Sequence, residues 1–330
     1  MNPSELLTVA IPTYKRPALL DKCIESVFDS ANGLNVEVLV MDDSLDSGNE
    51  SVYEKYRNLG KNIRVVNNVI NLGIDANICA CIENANARYV WLIGEDDLMK
   101  KSGINAALSL IENHAEVPFI YANYSYITAD QKKIFRENST EISTNLCEFT
   151  VFFENYLWSA GFIGGCIIRK DAFLRTNYKE FIGTYYAHVA GICLASIGSK
   201  IGVITVPQVG NRVGDASTFT WSADSYGVFQ GWRKLLRLLM PEFGHASYTV
   251  AYQSHISAHG YLGFKFLMGK KADGLLRSND IKGLLAADTS AAEKRRIVLV
   301  GHFVPKMLCV MLRKGYANAR RLNLPDFLLD

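Results

Sequence analysis

Several protein classes are excluded by what this 330-residue chain lacks. It has no CxxC pair, and its seven cysteines (Cys23, Cys79, Cys81, Cys147, Cys166, Cys193 and Cys309) are odd in number and lie mostly inside apolar patterns. A zinc site or a disulfide framework is a poor fit, and buried free thiols in a reducing cytosol are expected. No run of about 18 uncharged apolar residues occurs, so no transmembrane helix is predicted. Met1-Asn-Pro-Ser-Glu5 has neither the basic nor the apolar region of a secretory leader. No internal repeat or low-complexity tract is found. No GxGxxG follows the first apolar run, which removes the simplest dinucleotide-dependent oxidoreductase. The turn there, Pro12-Thr-Tyr-Lys-Arg16, has no glycine, which counts against a nucleotidyltransferase. The formal net charge of +2 favours no class of partner.

What is present is an alternation. Leu6–Ile11, Val36–Met41, Ile63–Val66 and Tyr89–Ile93 read as buried strands, and segments of helical spacing separate them. The first 115 or so residues therefore predict parallel βαβ units, an α/β sheet with its strands buried on both faces. Two of the strands run into adjacent acids, Asp42-Asp43 and Gly94-Glu-Asp-Asp97. Right-handed crossovers place those ends on one rim, where open α/β sheets bind ligands. Carboxylates massed there need positive charge between them, and hard oxygen donors suit Mg²⁺ or Mn²⁺. Turn-capping aspartates are the plainer alternative. Further on, Phe162–Ile168 reads as a strand with paired glycines that admit a close approach. Tyr185–Ile197 reads as a helix carrying His188, and Lys200–Val206 as a strand. The stretch from Gln208 has loop chemistry and sets a domain boundary, 1–207 against a helical 208–330.

In this order and spacing, Val9-Ala-Ile-Pro-Thr-Tyr-Lys-Arg16, Val40-Met-Asp-Asp-Ser44, Asn71-Leu-Gly73 and Gly94-Glu-Asp-Asp97 resemble the family 2 glycosyltransferases. Size, the Gly-Glu-Asp-Asp form and Asn211-Arg212-Val-Gly resemble the bacterial O-antigen dideoxyhexosyltransferases, abequosyltransferase among them. The resemblance implies a GT-A fold, a Rossmann-like, mostly parallel sheet flanked by helices. It also implies sugar transfer from a nucleoside diphosphate to a saccharide acceptor, helped by a divalent cation. Pro12, Thr13, Tyr14 and Arg16 would line the nucleotide pocket together with Asn71 and Gly73, and Asp42 or Asp43 would accept a hydrogen bond from the base. Glu95 and Asp96 would lie at the donor, with Asp96 and Asp97 as metal ligands and Asp97 also a catalytic candidate. Two departures stand out. Gly94 replaces the first Asp of the family's Asp-x-Asp, with Glu95 inserted. Where the family offers a Glu-Asp pair with a general base, this chain has Tyr185-Tyr-Ala-His188. His188 is a candidate base, its ordinary pKa being near operating pH. It is also a candidate metal partner, or else a packed histidine bonded to backbone. Gly164, Gly165 and Trp158 are candidates for the acceptor wall, with core packing the alternative. Arg212 is a candidate to close over the diphosphate, or a solvated loop arginine.

The C-terminus is basic. Lys294-Arg295-Arg296, Arg313-Lys314 and Arg320-Arg321 flank the apolar segments Ile297–Val300 and Met307–Leu312. This pattern suits a helix lying on an anionic leaflet at the inner face of the membrane, where a lipid-linked acceptor would be found. An ordinary amphipathic helix packed on the catalytic domain is the alternative. No nucleic-acid-binding motif accompanies the charge. Beside the glycosyltransferase stand two other functions, a nucleotidyltransferase and a non-catalytic nucleotide- or sugar-binding scaffold.

Overall fold

The computed structural model describes residues 2–128, 130–213, 225–285 and 289–321. It divides into two compact units, 1–251 and 252–330. The first holds a ten-stranded sheet.

A short helix α1 (Pro3–Leu6) leads into β1 (Leu7–Thr13), every residue of which is buried. Pro17 opens α2 (Pro17–Ala31), its fixed φ suiting a first helical turn. The helix ends at Asn32 and Gly33, both with positive φ. Then come β2 (Glu37–Asp42), α3 (Glu50–Asn58), β3 (Ile63–Asn67), α4 (Ile74–Asn84) and β4 (Tyr89–Leu92). β1 pairs in parallel with β2 and β4, and β2 with β3, so Thr13, Asp42 and Asn67 share one rim. The expected parallel βαβ frame is therefore present in the first four strands.

Beyond them the sheet is mixed. β5 (Leu98–Met99), α5 (Gly103–Asn113), β6 (Phe119–Thr128), β7 (Ile134–Arg136), β8 (Leu146–Glu148) and α6 (Phe149–Asn155) precede β9 (Cys166–Arg169). β9 lies antiparallel between β4 and β6. Only the end of the expected Phe162–Ile168 strand is extended, because Ile163–Gly165 forms a tight 3-10 turn. After α7 (Lys170–Leu174) and α8 (Ala187–Ala195), β10 runs through Lys200–Val213. The loop expected from Gln208 is thus strand as far as Val213, and the expected 207/208 boundary falls inside β10. Ladder pairing with β6 and β5 overrides the Gly/Asn composition there. The remainder of the expected loop, from Gly214, lies outside the described residues.

The helical C-terminal region is as expected in kind. α9 (Ser225–His259) contains Pro241 and is broken at Gly244, whose φ of 77° is not helical. The second unit carries α10 (Phe264–Asp273), α11 (Ser278–Leu284), α12 (Ala291–Val298) and α13 (Lys306–Arg321). The segment 291–318 is not one helix: a π turn at Leu299–Phe303 and Pro305 divide it. Among the described residues no helix is long and apolar enough to cross a membrane.

Candidate active site

The C-terminal rim of the parallel strands holds a cavity of about 580 Å³. That volume is within the range of small-molecule sites. Pro12, Thr13, Tyr14 and Arg16 line one side, Asp43 and Ser44 another, Asn71, Gly73, Ile74 and Asn77 a third, and Glu95 a fourth. Three expected motifs and the leading acid of the fourth therefore meet around one space. Lys15, Ser44, Asp46, Ile74 and Asn77 also line it and were not among the expected residues. Their only signal in the sequence is that each lies within four positions of a residue that was.

The two acids after β2 divide their work. Asp43 binds the 68–73 loop: it accepts from Leu72 N (2.8 Å), Gly73 N (3.0 Å) and Asn68 Nδ2 (3.0 Å). A carboxylate has about four acceptor positions, so one remains for a ligand. Asp42 turns inward and accepts from Ser44 N (2.8 Å), Asn49 Nδ2 (3.0 Å) and Tyr53 Oη (2.5 Å). Burial, with the Asp42 carboxylate beside it, pushes the Tyr53 phenol up, so this tyrosine stays a donor. Asp42 is a strut of the rim, and the expectation of a base contact falls to Asp43 alone.

After β4 the chain folds back on itself. Glu95 reaches across to β1, where Oε2 accepts from the Thr13 hydroxyl and from Tyr14 N (3.0 Å), and Arg16 Nη1 lies 3.6 Å from Oε1. Burial outweighs these partners, Asp96 adds repulsion, and the carboxyl is raised to about 7. Asp96 and Asp97 lie behind Glu95 and do not line the cavity. Both are buried, and both are engaged by Arg212: Nη2 lies 3.0 Å from Asp96 Oδ2, and the Arg212 amide donates to Asp97 Oδ1 at 2.9 Å. Arg16 Nη1 stands 3.8 Å from Asp96. Burial and the Asp96 charge push the Asp97 carboxyl well up, and Arg212 only partly offsets them. Two arginines thus supply part of the positive charge expected among the acids. Arg212 is a buried strand residue, 5% exposed, and not a solvated loop residue.

The packing gives a reason for Gly94 where the family has an acid. A Cβ there would stand 2.5 Å from Asp97 Oδ2 and 3.2 Å from Asp96 Oδ1. Any side chain at this position would collide with the carboxylates that fold back over it.

The described residues contain no group of three or more His, Cys, Asp or Glu arranged to hold a metal. The donor chemistry nevertheless fits a hard cation. Two repelling carboxylates with oxygens on one glycine face are a usual protein share of a Mg²⁺ or Mn²⁺ site, the remainder coming from water and substrate phosphates.

The other expected residues lie elsewhere. His188 is 1% exposed, and its Nε2 is 3.2 Å from the Ala160 carbonyl. Burial lowers it to about 4, so it is neutral and a weak base at neutral pH. This is the packed histidine, and neither the base nor the metal role has support in its surroundings. Gly164 and Gly165 are buried against Phe162, Val209 and Tyr121, so what approaches them closely is the protein's own side chains. Trp158 donates to Asn155 O (3.0 Å) and is not part of the cavity. A further residue that sequence reasoning missed is Asp75, at the start of α4. It accepts from the amides of Gly183, Thr184, Tyr185 and Ala187 and so fixes the turn into α8. Nothing local marks a contact that spans more than 100 positions.

The fold is GT-A-like. Residues 1–349 of TarS from S. aureus in complex with UDP-GlcNAc superpose with a TM-score of 0.62 at 13% identity, covering 94% of this chain and 92% of that one. A mannosyltransferase from Pyrobaculum calidifontis, in complex with GDP-Man and Mn²⁺, gives 0.51 at 13% identity, covering 92% and 88%. The sequence model of glycosyl transferase family 2 matches residues 8–176, and the chain belongs to that family. Among its relatives are abequosyltransferase RfbV of Salmonella typhimurium, 26% identical over 200 residues, and the putative teichuronic acid biosynthesis glycosyltransferase TuaG of Bacillus subtilis, 25% identical over 129. These matches cover 56% and 39% of this chain, and 59% and 50% of the relatives' lengths.

Proposed function

We propose that the protein transfers a sugar, a dideoxyhexose such as abequose, from a nucleoside diphosphate to a saccharide acceptor in bacterial O-antigen synthesis. The observation that carries the reading is the rim cavity, where residues 12–16, Asp43, Asn71, Gly73 and Glu95 meet around a space of nucleotide size. Family membership and the likeness to RfbV support it.

The residues divide the work as follows. Asp43 offers its remaining acceptor position to the base. The 12–16 turn and the start of α4 form the walls, and Arg16 meets the diphosphate with forked donors. Asp96 and Asp97 would hold the divalent cation. When bound, that cation stabilises the charge that develops on the departing diphosphate. Arg212 holds both carboxylates in place and limits their mutual repulsion. The acceptor is a lipid-linked saccharide, and the enzyme works in the cytoplasm against the inner face of the membrane.

The test is release of nucleoside diphosphate from pooled nucleotide sugars with Mg²⁺ or Mn²⁺ and an acceptor extract. A thermal-shift screen of nucleoside diphosphates reports the base, since a ligand at saturating excess adds stability. The burial of Asp96 and Asp97 against Arg212 also suits a non-catalytic nucleotide- or sugar-binding protein. Stabilisation by a nucleotide without turnover of any donor would establish that reading instead.

A further inference from the structure

We infer that the outward face of α13 and of the π turn before it is a docking surface for an anionic lipid bilayer. Met307, Leu308, Met311 and Leu312 recur one and four positions apart, which puts them on one stripe of a helix. All four are exposed, Met307 to 76% and Met311 to 60%. Leu299 and Phe303, the latter 73% exposed, extend the apolar surface back through the π turn. The helix already has an inward side within its own unit: Cys309 is buried, and Arg313 pairs with Asp273 at the end of α10. The apolar stripe is therefore surplus to packing, and a helix bounded by water would carry polar residues there.

Charge identifies the occupant. Residues 291–321 contain eight Lys or Arg and one acid, Glu293. Glu293 is buried and spent on capping α12, where it accepts from Ser290 N at 2.8 Å. Arg295, Lys306 and Lys314 are exposed. Long cationic side chains around exposed Met, Leu and Phe match anionic headgroups above an acyl boundary. A second copy of the chain is the poorer partner, because a two-fold contact through this face would set cations against cations. A surface helix of this kind lies on the bilayer, in keeping with the absence of a spanning helix among the described residues. The inference shares with the proposed function only the membrane setting, and its observations are independent of the active site.

The experiment is flotation of the full chain with vesicles of phosphatidylcholine alone or with roughly one-third phosphatidylglycerol. Binding to the anionic vesicles alone, weakening as salt rises, is expected. Met307→Glu with Met311→Glu should weaken it at least ~tenfold. Lys306→Gln and Lys314→Gln should each weaken it roughly fivefold. Circular dichroism and donor turnover with a soluble acceptor should stay at wild-type values in every variant. Three results would overturn the inference: no flotation with anionic vesicles, equal flotation of the double glutamate variant, or lipid binding that appears only when residues 322–330 are removed. A double glutamate variant that becomes monomeric while the parent self-associates without lipid would assign the face to a second copy. Turnover without flotation defeats this inference alone, whereas flotation without turnover defeats only the proposed function.

Discussion

The two rims of the sheet each bury a glutamate beside an arginine, and they treat it in opposite ways. At the N-terminal rim Glu37 is 5% exposed. It accepts from Thr8 Oγ1 (2.7 Å), Arg64 Nε (2.8 Å), Asn86 Nδ2 (2.6 Å) and Asn86 N (3.2 Å). Burial pushes its carboxyl up, but these donors together outweigh burial and hold it below the usual range. At the C-terminal rim burial wins over Thr13, Tyr14 and Arg16, and Glu95 rises to about 7, with Asp97 well raised behind it. One end of the sheet spends its donors on closing a charge away. The other keeps Glu95 and Asp97 short of them, as expected where a ligand or cation completes the balance. Buried acid by itself therefore does not mark the site; incompletely compensated buried acid does.

Four changes test the contrast, from the largest expected effect to the smallest. Asp96→Ala should lower kcat by about 10²–10³ or more while the protein stays folded, measured as nucleoside diphosphate release. Full activity would place the chemistry on other acids. Glu37→Ala should do the reverse, costing roughly 2–3 kcal/mol in urea unfolding because Arg64 and Asn86 lose their partner. Its turnover per folded molecule should stay near wild type. His188→Ala should cost about 1–3 kcal/mol of stability, with less than tenfold change in rate. A loss of about 10²–10⁴ in rate with an altered pH profile would restore it as the base.

The smallest effect lies in pH. The folded pKa of Glu95 is raised from 4.5 to about 7, so its protonated form favours the fold. That contribution is complete below pH 4.5 and is lost as pH rises through about 7. Glu37 has the opposite sign: its contribution is present above 4.5 and disappears as pH falls through its lowered value. Glu95→Gln should therefore remove the decline between pH 4.5 and 7 in thermal melts, and leave the acid limb unchanged. An unaltered neutral limb would mean that Glu95 is ionised throughout.

The frame was legible in the sequence because parallel strands buried on both faces are short apolar runs, and because acids at two strand ends point to a shared rim. Pro12–Arg16, Asp43, Asn71, Gly73 and Glu95 could be found for that reason: each stands at or just beyond a strand end. The fate of the rest depends on contacts that no local pattern records. Asp42 and Asp43 are neighbours of one type, yet Tyr53 claims one and the 68–73 loop the other. Arg212 sits in Gly/Asn-rich sequence that reads as a loop, and only its ladder with β6 makes it a buried counter-ion. The glycines at 164 and 165 signal close approach truthfully, but not that the approaching groups are Phe162 and Tyr121. His188 was judged by its chemistry, whereas α4 and α7 pack on its helix and the Ala160 carbonyl meets its ring.

The carboxylate of Asp75 adds a mechanical consequence. Four amides from residues 183–187 converge on it, while Gly73, Ile74 and Asn77 from the same helix start lie against the cavity. So stiff a joint absorbs little displacement. Any displacement of the beginning of α4 would have to stretch these four bonds or carry the turn into α8 along with it.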